Sequence, residues 1–348
     1  MNEGASRMTD KFFLSSSPHI KDKDSIPKIM YSVIVALVPA GIGAVYFFGI
    51  QALWVILVAS AASILTELLC QLIMKRPVTI SDGSAWLTGI LLAYNLPSDV
   101  PLWLPAIGAF CGILIGKQLF GGLGYNPMNP ALIGRAFLMA SWPTYMTVFR
   151  AIPRNGTISG IDIVTSATPL NVFRHAREIL THSASYSTDQ VIQAQATISQ
   201  LYNAQPNLFF GRVGGCLGET SAFLLLIGAV FLMYKRIIGW KIPFSYITTV
   251  GLLTWFFGGT DGLTTGNFLF HLLSGGLILG AFYMATDMVT SPVTFKGRVI
   301  FGIGCGIITV IIRLWGGYPE GVSYAILLMN LTTPLIDKYT RSKIFGER

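Results

Sequence analysis

The most constraining feature of this sequence is the recurrence of apolar stretches that approach the length needed to cross a bilayer. A membrane-spanning helix needs about 20 predominantly apolar residues. Only 11% of the 348 residues are charged, and the mean hydropathy is +0.61, whereas soluble domains carry about 25% charged residues. A chain this apolar cannot bury its surface in one water-soluble core, so the sequence predicts an integral membrane protein.

Ten such stretches predict transmembrane helices, five on each side of a polar region of roughly 75 residues. Some are short for a straight span, which suggests interrupted helices around a site at mid-membrane. The predicted helices are 29–49, 52–74, 86–96, 101–116, 131–142, 220–234, 243–257, 268–285, 299–314 and 322–336.

The distribution of charge predicts the orientation of these helices. With the N-terminus in the cytoplasm, every Lys and Arg of the short loops falls on the cytoplasmic side, as the positive-inside rule requires. The cytoplasmic loops then hold Lys75, Arg76, Lys117, Lys235, Arg236, Lys241, Lys296 and Arg298. The short outer loops hold only Asp99, Asp261 and Glu320. The long polar region lies outside the cytoplasm, and both termini lie inside.

The predicted fold class is therefore an all-α integral membrane protein of about ten transmembrane helices. A unit of five spans inverts its orientation when it is repeated, so we expect a 5+5 inverted repeat. The expected divisions are a cytoplasmic tail (1–27), a first five-helix repeat (28–143), an extracytoplasmic loop (144–218), a second repeat (219–337) and a cytoplasmic tail (338–348).

Other sequence features exclude several classes of function. The four cysteines form no CxxC pair, so we interpret them as packing residues and expect no metal site. The chain contains no basic run with interleaved aromatic residues, the pattern that would indicate nucleic-acid binding. The first 27 residues lack the apolar stretch of a signal peptide.

Thr168 is the leading candidate for chemistry in the polar region. A Thr followed by Pro169 is typical of a helix start, with the threonine as N-cap and the proline at the first helical position. Taken locally, this pattern needs no function. An anionic group on the hydroxyl would nevertheless lie against free backbone N–H groups at the positive end of a helix.

The segment around Thr168 also resembles a known flavinylation site. Asp162, Thr165, Ser166 and Ala167 precede Thr168 in a pattern similar to that of the NqrB/RnfD family, which is found in the Rnf complex and in the sodium-pumping NADH:quinone reductase. The resemblance implies FMN joined through its phosphate to Thr168. Ile163 departs from the family pattern, which has Gly at this position.

Further motifs along the chain are similar to signatures of the same family. They are 117–131 (KQLFGGLGYNPMNPA), 285–287 (ATD), 317–321 (GYPEG) and 334–337 (PLID). The resemblance also implies a second, non-covalent riboflavin, with Asn126 and Asn129 as candidate ligands. The alternative is that these two side chains only satisfy backbone groups freed by the neighbouring prolines.

Charged residues inside predicted spans are candidates for an ion path because an isolated charge in the bilayer is costly. The resemblance links Glu67, Asp287 and Asp337 to cation uptake. For Asp287 and Asp337, an acid at a water-accessible helix end is the simpler alternative. Glu67 and Arg135 are predicted at similar depth and are expected to pair with each other or to face a polar cavity. His271 and Arg313 are interpreted as structural or snorkelling residues.

The function that the resemblance implies is that of a membrane flavoprotein, the RnfD component of an Rnf-type ferredoxin:NAD oxidoreductase that moves Na⁺ or H⁺. It implies no complete active site in this chain, and it implies as partners the A, B, C, E and G components of the Rnf complex and a flavin transferase. The expected location is the cytoplasmic (inner) membrane of a bacterium or archaeon. The alternatives are the NqrB component of the quinone reductase and a flavin-free, urea-type channel or transporter.

Overall fold

The computed structural model describes residues 25–150, 165–166, 168–219, 221–259, 262–318 and 320–341, with the backbone alone for residues 150, 165 and 166. Asp162 and Ala167 of the predicted flavin site lie outside these residues. So do most of the N-terminal tail and the last seven residues of the chain.

The first half of the chain forms five helices that match the first five predicted spans. The fourth helix continues through a π-helical turn, Leu114–Gln118. The helices are α1 Ile26–Phe48, α2 Ile50–Ile73, α3 Ser84–Tyr94, α4 Trp103–Ile113 and α5 Pro130–Ser141, with a 3₁₀ turn at Ile80–Asp82.

The region between the halves contains short helices rather than spans. Its helices are α6 Pro143–Thr147, α7 Pro169–Thr181, α8 Thr188–Asn203 and α9 Gln205–Phe210, with a 3₁₀ turn at Ser183–Ser185. Strands β1 (Phe149–Arg150) and β2 (Thr165–Ser166) form a two-residue antiparallel pair in which Phe149 faces Ser166.

The second half also follows the predicted spans, with one correction. Its helices are α10 Ala222–Tyr234, α11 Lys241–Phe257, α12 Phe268–Leu273, α13 Leu277–Leu279, α14 Phe295–Trp315 and α15 Val322–Thr340, with a π-helical turn at Gly280–Met284. The predicted continuous helix 268–285 is wrong. Gly275 and Gly276 adopt φ of 71° and 66°, a left-handed conformation that ends α12 and that glycine alone adopts without strain.

Helix length and composition support a membrane protein within the described residues. Three helices are long and apolar enough to cross a bilayer: α1, α2 and α14. Three shorter apolar helices are α3, α5 and α10. The outward faces of α1 and α2 carry apolar side chains such as Ile42 (66% exposed) and Ile73 (79% exposed), as expected of surfaces that face lipid.

The two halves meet where α1 packs against α10 and where α5 packs against α15. Two equivalent hydrogen bonds flank the first contact. The Tyr94 hydroxyl donates to the Leu37 carbonyl of α1, and the Tyr283 hydroxyl donates to the Leu225 carbonyl of α10, each at 2.7 Å. A buried polar group in lipid must find its partner inside the protein, and the two tyrosines do so in the same way.

The connecting helices α7, α8 and α9 form a second, smaller hydrophobic core that is fixed to the second half by α12. The buried residues of this core are Leu170, Phe173, Ala176, Ala194, Ile198, Leu208 and Phe270. Because Phe270 belongs to α12, burial of apolar surface holds the helix that begins after Thr168 against the second half of the chain.

Candidate functional site

Thr168 lies at the N-terminus of α7, as the local sequence predicts. Its backbone is extended (φ −61°, ψ 152°), and its Oγ1 accepts a hydrogen bond from the Asn171 amide at 3.3 Å. Pro169 occupies the first turn. Thr168 is 5% exposed, so its hydroxyl is buried in the cap.

Helix α7 is docked onto the second half by two arginines as well as by its apolar face. Arg174 Nη1 donates to the Gly317 carbonyl, and Arg177 Nη2 donates to the Phe257 carbonyl at 3.0 Å. Gly317 belongs to the short segment between α14 and α15. The start of α7 is therefore held close to that segment.

A cavity of ≈ 470 Å³, including the part open to solvent, lies beside the first turn of α7. We call it the Arg135 cavity. Its lining includes Asn171, Arg135 and Phe149, and also Tyr318 and Tyr324, whose rings stack with centroids 5.0 Å apart. Glu320, the ion-pair partner of Arg135, lines the same cavity, so aromatic faces and a buried charge pair form its walls.

Arg135 joins the two halves of the chain instead of pairing with Glu67. Its guanidinium donates to Asn95 Oδ1 at 2.7 Å and to Ser323 Oγ at 3.0 Å, and it forms an ion pair with Glu320. Of the two alternatives that the sequence leaves open, pairing of Arg135 with Glu67 is wrong, and Arg135 instead lines a cavity. Sequence gives the depth of a residue along its own helix, but it does not give the neighbour that the helix faces.

Glu67 pairs instead with Lys117, and both side chains are buried. Lys117 Nζ lies 2.7 Å from each Glu67 carboxylate oxygen and 2.6 Å from Ser84 Oγ. Glu67 is 0% exposed and Lys117 is 1% exposed. The prediction that Lys117 lies in a loop is wrong, because it belongs to the π-helical turn that continues α4 and its side chain is buried.

A larger cavity of ≈ 780 Å³, including the part open to solvent, has Lys117 in its lining. We call it the Lys117 cavity. It is lined by residues from both halves, including Ser84, Asn126 and Asn129 from the first half and Asp287 from the second. The structure therefore brings three sequence candidates to one cavity, with Glu67 directly behind Lys117.

The two candidate asparagines differ in their contacts. Asn129 is the N-cap of α5, and its Oδ1 accepts from the Ala131 amide at 3.0 Å. Asn126 donates through Nδ2 to the Met128 carbonyl at 3.3 Å, and its buried Oδ1 has no hydrogen-bond partner among the described residues. An unpaired buried acceptor is costly, so Asn126 is the one of the pair that has an acceptor left for a ligand.

The two other candidate acids make local contacts. Asp287 accepts from Thr290 Oγ1 at 3.2 Å and from the Val289 amide at 3.4 Å. Asp337 accepts from the Val293 amide at 3.1 Å, and it does not line the Lys117 cavity. Of these two acids, Asp287 is thus the one that shares a cavity with Lys117.

Arg313 is structural, one of the two roles that the sequence analysis allows. Its guanidinium donates to the carbonyls of His271 (2.6 Å), Ser274 (3.0 Å) and Gly275 (3.2 Å), all at the break between α12 and α13. His271, in turn, is buried with no hydrogen-bond partner on either ring nitrogen in the described part of the chain, and it contacts Phe173 edge-on. The four cysteines are all buried, as expected of packing residues.

Two acids near Arg135 are not among the candidates that the sequence provides. Glu320 is predicted in an outer loop, and Glu219 precedes α10. With Cys216 they place three potential ligand atoms within 4.8 Å of one another. Arg135 supplies a positive charge beside them, and nothing else in the described residues indicates a metal. The sequence signal for Glu320 is its place in the motif 317–321.

The chain is similar to known proteins over nearly its whole length. Residues 13–346 match the family model described as NQR2, RnfD, RnfE family. The chain is 49% identical over 337 residues to the D subunit of the proton-translocating ferredoxin:NAD(+) oxidoreductase complex of Clostridium ljungdahlii, covering 97% of each chain.

Two further relatives carry similar names. The chain is 46% identical to the D subunit of the Na(+)-translocating ferredoxin:NAD(+) oxidoreductase complex of Acetobacterium woodii, covering 96% of this chain and 95% of that one. It is 36% identical to the D subunit of the ion-translocating oxidoreductase complex of an Escherichia coli strain, covering 97% and 99%. This chain is a member of the NQR2, RnfD, RnfE family.

Proposed function

We propose that this protein is the RnfD component of an ion-translocating ferredoxin:NAD⁺ oxidoreductase complex and that it carries FMN on Thr168. The names of its relatives support the complex and the chemistry. The observation that carries the flavin is the position of Thr168, a helix N-cap hydroxyl beside a cavity with aromatic walls. A flavin supplies the electron transfer, and the protein positions it and tunes its potential.

The residues around Thr168 fit an FMN group. The amides of the first turn of α7 and the positive end of its 13-residue helix favour a phosphate at this position. The Arg135 cavity reaches the same turn through Asn171. Tyr318 and Tyr324 would contact the flavin ring.

The Lys117 cavity fits a second, non-covalent flavin. Asn126 lines this cavity, and its buried Oδ1, which has no partner among the described residues, is an acceptor for an N–H of the ring. Helix α5 lines both cavities, with Pro130 in one and Arg135 in the other. Five residues of helix correspond to a rise of about 7.5 Å, so α5 would connect two electron carriers.

The ion path proposed here includes Glu67, Asp287 and Asp337. Support is greatest for Glu67 and Asp287, which lie behind and beside the same cavity. The proposed topology is ten spans in a 5+5 inverted repeat, with α7–α9 outside and both termini in the cytoplasm of a bacterial or archaeal cell. The matched tyrosine hydrogen bonds to α1 and α10 support that repeat. The A, B, C, E and G components of the complex and a flavin transferase are the proposed partners.

Flavin fluorescence of the denatured chain tests the covalent link. The wild-type chain, co-expressed with a flavin transferase, should give a fluorescent band in a denaturing gel, and Thr168→Val should give a dark one. Thr181→Val is the matched control because Thr181 lies at the other end of α7 and its hydroxyl donates to the Arg177 carbonyl within the same helix. Intact-mass analysis should detect the added mass of FMN on the control variant and no added mass on Thr168→Val.

Two results would contradict the proposal. One is a dark wild-type band under conditions in which the transferase modifies a known substrate. The other is a fluorescent Thr168→Val chain, which would place the flavin on a different residue.

A further inference from the structure

We propose that the ammonium of Lys117 occupies the position at which an alkali cation neutralises Glu67, so that Lys117 and the transported cation exclude one another. The inference deepens the proposed ion-translocating function and rests on it. Lys117 would act as a tethered cation that closes the site until an ion from the cavity replaces it.

The contacts of Glu67 carry the first step. Lys117 Nζ is within 2.7 Å of both carboxylate oxygens. Gln71 and Gln118 each donate a further hydrogen bond to Oε1 at 3.1 Å. Oε1 thus has three donors, and among the described residues Oε2 accepts from Lys117, so the ammonium holds the position between the two oxygens that a cation would take.

Access to Glu67 carries the second step. Lys117 and Ser84 line the Lys117 cavity, and Glu67 does not. Among the described residues, a cation that entered this cavity would meet the lysine before it met the carboxylate. The ammonium therefore stands between the cavity and the buried acid.

Charge balance carries the third step. One buried carboxylate is neutralised by one positive charge, and two cations beside it would leave an excess charge in a low-dielectric site, at a large cost. Within the described part of the chain, Lys117 and Asp287 are the charged residues that line the cavity. A displaced ammonium would therefore still have a carboxylate available along the same cavity.

The chemistry of the position suits an alkali cation. Once the ammonium leaves, the two Glu67 oxygens and Ser84 Oγ remain around the vacated point, and oxygen donors are the ligands preferred by hard cations. Lys117 also lies in the π-helical turn Leu114–Gln118. Such turns are frequent at functional sites.

The test uses the full chain in detergent and compares wild type with Lys117→Met and with the double variant Glu67→Gln/Lys117→Met. Thermal midpoints are measured in increasing NaCl, with choline chloride keeping the ionic strength constant. We expect the midpoint of Lys117→Met to rise by several degrees with Na⁺, because an ion that binds only the folded state stabilises it. Wild type and the double variant should show no rise specific to Na⁺.

The outcomes separate the proposal from its alternatives. A Lys117→Met midpoint that responds to Na⁺ no more than the double variant does would overturn it. A Lys117→Met midpoint that changes with pH but not with Na⁺ would also overturn it, because a proton would then neutralise Glu67. If Lys117→Met folds only when Na⁺ is present, the proposal is supported. If it fails to fold in any salt while the double variant folds, the proposal is wrong.

This experiment needs no flavin. A dark band in the fluorescence test would therefore refute the proposed redox function and leave the Na⁺ response intact. The reverse result, a fluorescent chain without a Na⁺ response in Lys117→Met, would refute only the tethered-cation proposal.

Discussion

One buried ion pair lies beside α5 and another includes a residue of α5, and the two pairs differ in what they connect. Glu67 and Lys117, with Ser84, Gln71 and Gln118, all belong to the first half of the chain. Arg135, by contrast, contacts Asn95 in the first half and Ser323 and Glu320 in the second. One pair lies within a single half at the edge of a large cavity, and the other bridges the two halves.

The difference shows how similar charges can serve different purposes in a membrane protein. A planar guanidinium holds several acceptors at once in fixed directions, whereas an ammonium is a compact charge on a flexible stem. Arg135 therefore suits a permanent connection between halves. Lys117 suits a contact in which the ammonium can be replaced by another cation. The following predictions test this contrast, beginning with the largest expected effect.

Removing the bridging charge should cause the largest loss of stability. Arg135→Met leaves Glu320 without its partner, and breaking a buried pair costs about 3–5 kcal/mol. Added Na⁺ should not restore this loss, in contrast to Lys117→Met. Denaturant titration in detergent measures the free energy of unfolding, and Arg212→Met, at an exposed position, is the control. A loss no larger than that of the control would contradict the bridging role.

Shortening the bridge while keeping its charge should have an intermediate effect. Arg135→Lys preserves one positive charge but cannot reach Asn95, Ser323 and Glu320 together, so we expect a loss of about 1.5–3 kcal/mol for hydrogen bonds to a charged group. The same titration measures it. Stability equal to wild type would mean that the planar geometry is not needed and that Arg135 and Lys117 are equivalent kinds of contact.

Substitutions of the two asparagines of the Lys117 cavity should have different effects, one on stability and the other on ligand binding. Asn129→Ala removes the N-cap of α5 and should lose about 1 kcal/mol. Asn126→Ala should change the free energy of unfolding by less than about 1 kcal/mol, because it removes one hydrogen bond to the Met128 carbonyl together with a costly unpaired acceptor. It should nevertheless lower the amount of non-covalent flavin that the chain releases on denaturation. Equal flavin content in wild type and Asn126→Ala would show that the unpaired Oδ1 serves another purpose.

Much of the architecture follows from local sequence patterns. All ten predicted segments contain helix in the structure, because apolar length and capping residues act over a few neighbouring positions. Thr168 and Pro169 start α7 as predicted for the same reason. The break in the eighth segment is not predictable in this way because a Gly-Gly pair is compatible with a membrane helix. The packing of Arg313 against the freed carbonyls makes the break stable.

The candidate site is predicted residue by residue but not as an arrangement. Asn126, Asn129 and Asp287 are separate candidates in the sequence, and tertiary packing places them in one cavity. The partners of the two buried charges could not be predicted. Depth along a helix is a property of that helix alone, whereas pairing depends on how α2, α5 and the Lys117 turn rotate against one another. Asp162 and Ala167 lie outside the described residues, so their roles stay predictions.

The sequence by itself determined that this chain is a helical membrane protein, where its helices lie, and which threonine begins α7, since hydropathy and capping are local properties. Only the tertiary structure decided that Lys117 is buried against Glu67 and that Arg135 bridges the halves. The physical reason is that a buried charge is stable only beside its partner, and partners 50 or 185 residues apart in sequence are brought together by helix packing alone.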